Sequence, residues 1–469
     1  MVIETAGSGW RQRQGFGQGR MTALALMSAV DVTASTPTLR AEIDTDWIAR
    51  GDAIHGITRK LGLQSGADRS NSMALDPLHF RIKFVADELW PELMAWSQGI
   101  DLAAMRSVLQ PSAGIWPVFD EWLSALTPSG KVHGLYGYVS NQGAIGYSAS
   151  LSDVSAQGYR GSPSLRNAQG RLWGDGANIA MQLNADDINL QFPTLFARAW
   201  DFEYVQGLIK FHLQPEYMGL RGQNIKARRH GSALAVQFAV TRPKNLYEQR
   251  RSIQVGMDGA DTSDLPDYIS FKMAEGLQSW LHQAPQAGRL DGLLGAYHGQ
   301  LRQRPGELAR RLEIRSDLEQ GRVIYESTWP ELQNISASIH VAGPYTRVQV
   351  SSAEMAGALF YDSQIALGVG ARVADVQFDA ATGAAQLLDF LRDTPLRSSF
   401  GFVGNDWSAE GNVRLQGSMS LPLTADAETP LALDLNFRPE QMSLSMPDYR
   451  LVVEDAEAQG TFTQPHQLE

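Results

Sequence analysis

The chain contains no cysteine. That excludes disulfides, thiolate-held metal ions and a cysteine nucleophile. A thiol-free chain of 469 residues suits an oxidising compartment such as a bacterial periplasm. Long apolar runs are missing too: no stretch reaches the roughly 18 residues that a spanning helix needs. Basic charge is scarce, with a net charge of -11 and no long Lys/Arg tract, so no nucleic-acid partner is expected. The nearest approach to a targeting segment is MTALALMSAV, residues 21–30, preceded by Arg11, Arg13 and Arg20. Thr22 and Ser28 interrupt its apolar run, and a β-strand accounts for it better than a signal peptide.

Motifs for chemistry are equally sparse. HExxH, GxSxG and the P-loop pattern are all absent, which removes the visible footholds of zincin, α/β-hydrolase and nucleotide chemistry. The nine histidines are scattered, and His212 and His340 fall at polar positions of alternating segments. GFGQG at 15–19 and GVGARV at 368–373 lack the strand-turn-helix context of a dinucleotide loop. Asp258, Asp261 and Asp264 do not have the ligand alternation of an EF-hand, so a solvated turn is expected there. Lys226, Arg228, Arg229 and His230 read as a solvated hairpin end, with anionic headgroup contact as the alternative. No cofactor or metal is expected.

What the chain has is alternation. Hydrophobic residues make up 43%, enough to bury a large surface, while 44 Gly and 21 Pro supply turns. Apolar residues recur at every second position in Ile179, Met181 and Leu183; Ile188, Leu190 and Phe192; Ile209, Phe211 and Leu213; and Leu234, Val236, Phe238 and Val240. The pattern continues in Ile335, Ala337, Ile339 and Val341; Val413 and Leu415; Leu431, Leu433, Leu435 and Phe437; and Met442, Leu444 and Met446. Period two predicts strands with one apolar and one polar face. Short linkers at 184–187, 214–216, 256–264 and 343–344 predict antiparallel hairpins. Helices are expected only at 87–98, 117–126, 267–283 and 380–393.

One motif occurs twice at constant displacement: WLSALTPSGKVHGL at 122–135 and WLHQAPQAGRLDGL at 280–293. Trp122, Gly130 and Gly134 match Trp280, Gly288 and Gly292. The expected reading is a repeat junction, in which a helix end and a proline stop are followed by a glycine that launches the next strand. His133 and Asp291 share the matching polar position but no chemistry. The repeat divides the chain into sections 1–120, 121–279 and 280–469. FPTL at 192–195 echoes WPEL at 329–332, while the WPEL at 90–93 falls inside an expected helix and reads as chance.

A one-sided apolar sheet must meet a second layer or another hydrophobic object. A dry sandwich or barrel core is one solution. A lipid tail is another: at about 0.8 kcal/mol per CH₂, a sixteen-carbon chain costs on the order of 12 kcal/mol to expose to water.

The succession WLSALTPSGKVHGL, LQFPTLF, DLPDYISFKMAEGLQSWLHQAPQAGRLDGLLGAYHGQL, LEQGRVIYESTWPELQNISASIHVAG and FVGNDWSAEGNVRLQGSMSLPL resembles the central region of the YhdP family of AsmA-like proteins in Gram-negative bacteria. The similarity spans about residues 85–460. It implies an elongated, curled antiparallel sheet, a taco-like open groove with an apolar interior. It further implies a periplasmic protein, anchored in the inner membrane, that bridges inner and outer membranes and carries phospholipid without catalysis. Such proteins begin with a transmembrane helix and are longer, so this chain is expected to be a central segment. The expected groove-lining residues are Ile335, Ile339, Val341, Val413, Leu415, Leu431, Leu433, Leu435, Leu444 and Met446. Two other functions remain open: an assembly factor pairing its sheet edge with client β-strands, and a carbohydrate-active enzyme whose paired carboxylates would leave no local pattern.

Overall fold

A computed structural model describes residues 16–22, 39–65, 72–86, 88, 90–109, 124–159, 162–214, 217–243, 248–300, 310–369, 373–398, 400–422, 432–456, 460–464 and 467–468. The fold is mainly β, antiparallel, with few short helices, as the alternation predicts. The chain divides into two compact units. Unit 1 is Met1–His230 with Gln237–Leu246, and unit 2 is Gly231–Val236 with Tyr247–Glu469.

Unit 1 is a meander. Its strands are β1 (Phe16–Thr22), β2 (Leu39–Arg50), β3 (Ala53–Ser65), β4 (Ser72–Lys83), β5 (Glu92–Asp101) and β6 (Ser129–Val139). They continue with β7 (Ile145–Ala156), β8 (Ser164–Asp175), β9 (Asn178–Gln191), β10 (Trp200–Gln214) and β11 (Tyr217–Arg229), while β12 (Ser232–Pro243) is shared between the units. From β1 to β11 each strand pairs antiparallel with the next. The helix Leu102–Leu109 leaves β5, and residues 124–126 are helical just before β6. Asp101 caps the first of these, its Oδ1 accepting from Ala104 N at 2.8 Å.

Unit 2 repeats the plan with β13 (Arg250–Asp258), β14 (Ala260–Asp261), β15 (Pro285–Gln300), β16 (Arg310–Val323), β17 (Leu332–Ala342), β18 (Tyr345–Met355), β19 (Ala358–Leu367) and β20 (Val373–Gly383). After the helix Ala384–Asp393 come β21 (Ser408–Pro422), β22 (Ala432–Met446), β23 (Leu451–Ala456), β24 (Gly460–Gln464) and β25 (Gln467–Leu468). Strand β22 pairs with β23 along its second half and with β24 along its first. Among the described residues β13 pairs with neither β24 nor β25, so this ladder does not close.

Several strands break register where a non-glycine residue takes positive φ: Asp153, Asn167, Asp187 and Asn224 in unit 1, and Gln320, Asn334, Asp362 and Gln441 in unit 2. Asn and Asp are the L-residues that tolerate this conformation best, and a bulge bends and twists the strand that carries it. One such bulge corrects a sequence expectation. Residues 184–187 are not a linker; they lie inside β9, where Asp187 at φ 53° shifts the parity from Leu183 to Ile188.

Three helix expectations also change. Among the described residues of the expected 87–98 helix none is helical, since β5 starts at Glu92 and its ladder to β4 and β6 overrides the local apolar spacing. The WPEL at 90–93 therefore leads into a strand, just as the copy at 329–332 leads into β17. The expected 267–283 helix is two, Leu265–Tyr268 and Glu275–Gln283, separated by a turn in which Met273 N donates to Ser270 O. The 380–393 helix starts only at Ala384, because Ala380 and Thr382 continue β20. Most of 117–126, and residues 23–30 of the apolar stretch, lie outside the described residues.

At the repeated motif, Gly130 and Gly288 have φ of +114° and +143°, and Gly134 and Gly292 have +55° and +58°. A Cβ on Gly130 would come within 2.6 Å of Asp153 O, and one on Gly288 within 2.8 Å of Leu318 Cδ1. Trp280 is 41% exposed on the helix before β15, and Trp122 lies outside the described residues. His133 Nε2 meets Ser152 Oγ at 2.8 Å, whereas Asp291 Oδ1 accepts from Gly259 N and Arg289 Nε at 3.0 Å.

Candidate functional site

Residues paired directly across an antiparallel ladder project to the same side of the sheet. Following the registers of unit 2 gives one continuous transverse row, Ile339–Val348–Ile365–Val376–Met419–Leu433, across β17 to β22. Strands lie about 4.8 Å apart, so the row is about 24 Å long. Ala337 and Val350 flank it on one side, Ile314, Val341 and Leu367 on the other. One residue out of phase, the opposite face reads His340–Arg347–Ala366–Asp375–Ser420. There Ser420 Oγ donates to Asp375 Oδ1 at 3.2 Å. Glu313 on the same face meets Arg315 at 2.9 Å and His340 at 3.5 Å. Partial desolvation pushes the Glu313 carboxyl up, but Arg315, His340 and Arg311 outweigh it and hold it below the ordinary carboxylate range.

The apolar face has two sections. Near the end of β20 it is roofed by the helix Ala384–Asp393. Leu388 is buried, and Leu387, Phe390 and Leu391 pack with it against Ala380, Val413, Leu415, Leu433 and Leu435. The loop after the helix is held down by Arg392, whose Nη2 donates to Gly404 O at 2.6 Å and Trp407 O at 2.7 Å. The rings of Phe400 and Phe462 meet at 4.3 Å. Away from the helix, Ile339, Val341, Val348, Ile365, Leu367 and Val376 are half-buried.

The residues expected to line a groove are therefore divided. Val413, Leu415, Leu433 and Leu435 lie in the helix-covered core, with Leu444 packed against it. Ile335 is buried in a smaller cluster with Ala337, Val350 and Ala353. Ile339 and Val341 sit in the open section, Met446 is half-buried near the end of β22, and Leu431 lies outside the described residues. Sequence reasoning missed Val348, Ile365, Val376 and Met419, although the alternating ADVQFDA at 374–380 held the signal for β20.

Unit 1 also has an apolar face: Phe80–Ala95–Gly137–Tyr147–Gly174–Ile179–Phe211–Leu220 runs across β4 to β11. Here rings lie over glycines. A Cβ on Gly56, paired to Phe80, would fall 2.1 Å from Phe80 Cζ, and one on Gly174 would fall 2.5 Å from the Tyr147 hydroxyl. Burial and Asp175 raise the Tyr147 pKa above its ordinary value.

Among the described residues no group of three or more His, Asp or Glu is placed to hold a metal, and no helix is long and apolar enough to cross a membrane. Comparison with curated proteins gives no match. A family model described as YhdP protein matches residues 68–462, most of the chain. The chain belongs to the YhdP protein family.

Proposed function

We propose that this chain is part of a periplasmic, AsmA-like bridge-type lipid-transfer protein. In this reading the open apolar section of unit 2 shields phospholipid acyl chains passing between the inner and outer membranes. The observation that carries it is the unbroken row Ile339–Val348–Ile365–Val376, half-buried, backed by a polar face one residue out of phase. A transverse row offers continuous contact to a linear acyl chain, and each methylene sheltered is worth about 0.8 kcal/mol. No single side chain is essential, no proton moves and no cofactor takes part. Membership of the YhdP family supports the assignment.

Photocrosslinking amino acids at Ile339 and Val376, compared with His340 and Gln377, test this directly. Lipid adducts at the first pair alone, found by mass spectrometry, are the expected result. Equal labelling at both pairs, or none at the first, sinks the reading.

A second reading, an assembly factor for outer-membrane β proteins, draws on β23. Among the described residues this strand pairs with β22 alone, and its Leu451 and Val452 are exposed. Crosslinks from β23 to a partner strand would favour it.

A further inference from the structure

The face of unit 1 opposite its apolar side is not uniformly polar. The registers place His79, Trp96, Tyr136, Ser148, Trp173, Ala180, Lys210 and Arg221 in one transverse row across β4 to β11. Trp96 is 40% exposed and Tyr136 and Trp173 are each 39% exposed, high for rings in mid-sheet. His79 stacks on Trp96 at 5.3 Å with their planes 7° apart, which holds the indole in place. The part from His79 to Trp173 extends about 19 Å, and the whole row about 34 Å, at the usual strand spacing.

We propose that this row binds a linear acidic polysaccharide. The exposed rings form one line. The row on one side is Arg81 with the half-buried Met94 and Tyr138, and the row on the other holds Ser150, Arg171 and Gln182. A bilayer needs a broad patch of protruding apolar groups and a protein helix needs a groove; on this face the exposed rings form a single line, bordered by Arg81, Ser150, Arg171 and Gln182 and ended by Lys210 and Arg221. A sugar polymer presents C–H faces to rings and hydroxyls to flanking donors, repeating in a line, and exposed Trp and Tyr combine such an apolar body with a polar tip. Charge complementarity selects acidic units. Arg81, Arg171, Lys210 and Arg221 border or end the row. The nearby carboxylates Glu92 and Asp175 sit at strand ends and are engaged, Glu92 with the Tyr138 hydroxyl and Asp175 as acceptor from Asn178 Nδ2 at 2.7 Å. The corresponding face of unit 2 carries no such aromatic row between His340 and Ser420.

The test is calorimetric titration of the chain with oligogalacturonate, an acidic probe, beside dextran and phosphatidylglycerol vesicles. Saturable binding of oligogalacturonate is expected, weakened about tenfold or more by Trp96→Ala or Trp173→Ala, the scale of an aromatic anchor. Trp90→Ala, at a site 72% exposed and off the row, should leave it unchanged. Lys210→Gln with Arg221→Gln, both at exposed positions that the fold does not need, should lower affinity and flatten its salt dependence. Absence of saturable binding, equal binding of dextran, tighter binding of vesicles, or equal loss with Trp90→Ala would each overturn the proposal.

Discussion

The two units use one strand plan to make different surfaces. In unit 2 the apolar face is a dense row of branched aliphatics, and part of it is roofed by the helix Ala384–Asp393. In unit 1 the corresponding row interleaves rings with glycines, so Phe80 reaches over Gly56 and Tyr147 over Gly174. Their outer faces diverge as well: residues after 246 carry all of the chain's acidic excess, the residues before them being slightly basic on balance, and the unit 1 outer face is aromatic and basic. Period two fixes only which side is apolar; what stands on that side decides whether it becomes core or open surface.

The helix-covered and open sections of unit 2 give the largest expected effect. Val413→Asp places an unpaired charge at a site 2% exposed, and an isolated buried charge costs several kcal/mol or more. Unit 2 should lose its cooperative unfolding transition in urea. Val376→Asp, in the open section, should leave that transition in place and reduce co-purified lipid. Equal destabilisation by the two would erase the distinction between core and groove.

The ring-over-glycine device is the next target. Gly56→Ala in unit 1 and Gly417→Ala in unit 2 each drive a Cβ into a neighbour, Phe80 Cζ at 2.1 Å and the Asp434 carbonyl at 2.5 Å. Overpacking of this kind costs about 1–3 kcal/mol. Gly137→Ala on the unit 1 row has nothing within 4 Å and should be neutral or slightly stabilising. Thermal melts of the three variants decide whether close packing or glycine flexibility shapes the face.

Much of this was legible in the sequence, for a physical reason. Alternation is a local property of a strand, so the parity of Ile335 to Val341 and of Leu433 to Phe437 could be read directly. The covering layer could not. Nothing local to Val413 or Leu433 says that Leu388, 25 residues before Val413, packs above them. The bulge at 184–187 reads as a linker in the sequence because Asp187, at positive φ, shifts parity without ending the strand. Residues 92–98 looked helical because apolar spacing in a short window cannot tell a helix from a strand that long-range pairing holds. The outer-face aromatic row was invisible because Trp96, Tyr136 and Trp173 become neighbours only through registers.

The twin motif tests whether equivalent positions in the two units carry equivalent strain. Gly130→Ala and Gly288→Ala ask an L-residue to hold φ of +114° and +143°, with close contacts at 2.6 and 2.8 Å. A cost of about 1–3 kcal/mol is expected for each. Gly134→Asn and Gly292→Asn, at +55° and +58° in roomier surroundings, should each cost well under about 1 kcal/mol, since Asn tolerates this region. Urea midpoints that rank both pairs alike would make the two junctions mechanically equivalent. A cost confined to one copy would mean that only that copy constrains its strand.

The smallest effect separates the two capped crossings. Asp101 caps the eight-residue helix Leu102–Leu109, and Asp261 caps the three-residue turn Thr262–Asp264 through Ser263 N at 2.8 Å. Replacing either by Ala should cost about 1 kcal/mol or less. Hydrogen bonds from Ser263 hold the Asp261 carboxyl below its ordinary value. A depressed folded-state pKa stabilises the fold above the unfolded value, and that contribution is lost as pH falls through the lowered one. The difference between wild type and Asp261→Ala should therefore be full at neutral pH and shrink once the medium is more acidic than the ordinary carboxylate range. If it instead stayed constant down to that range and below, the cap would act through shape alone and its charge would contribute nothing.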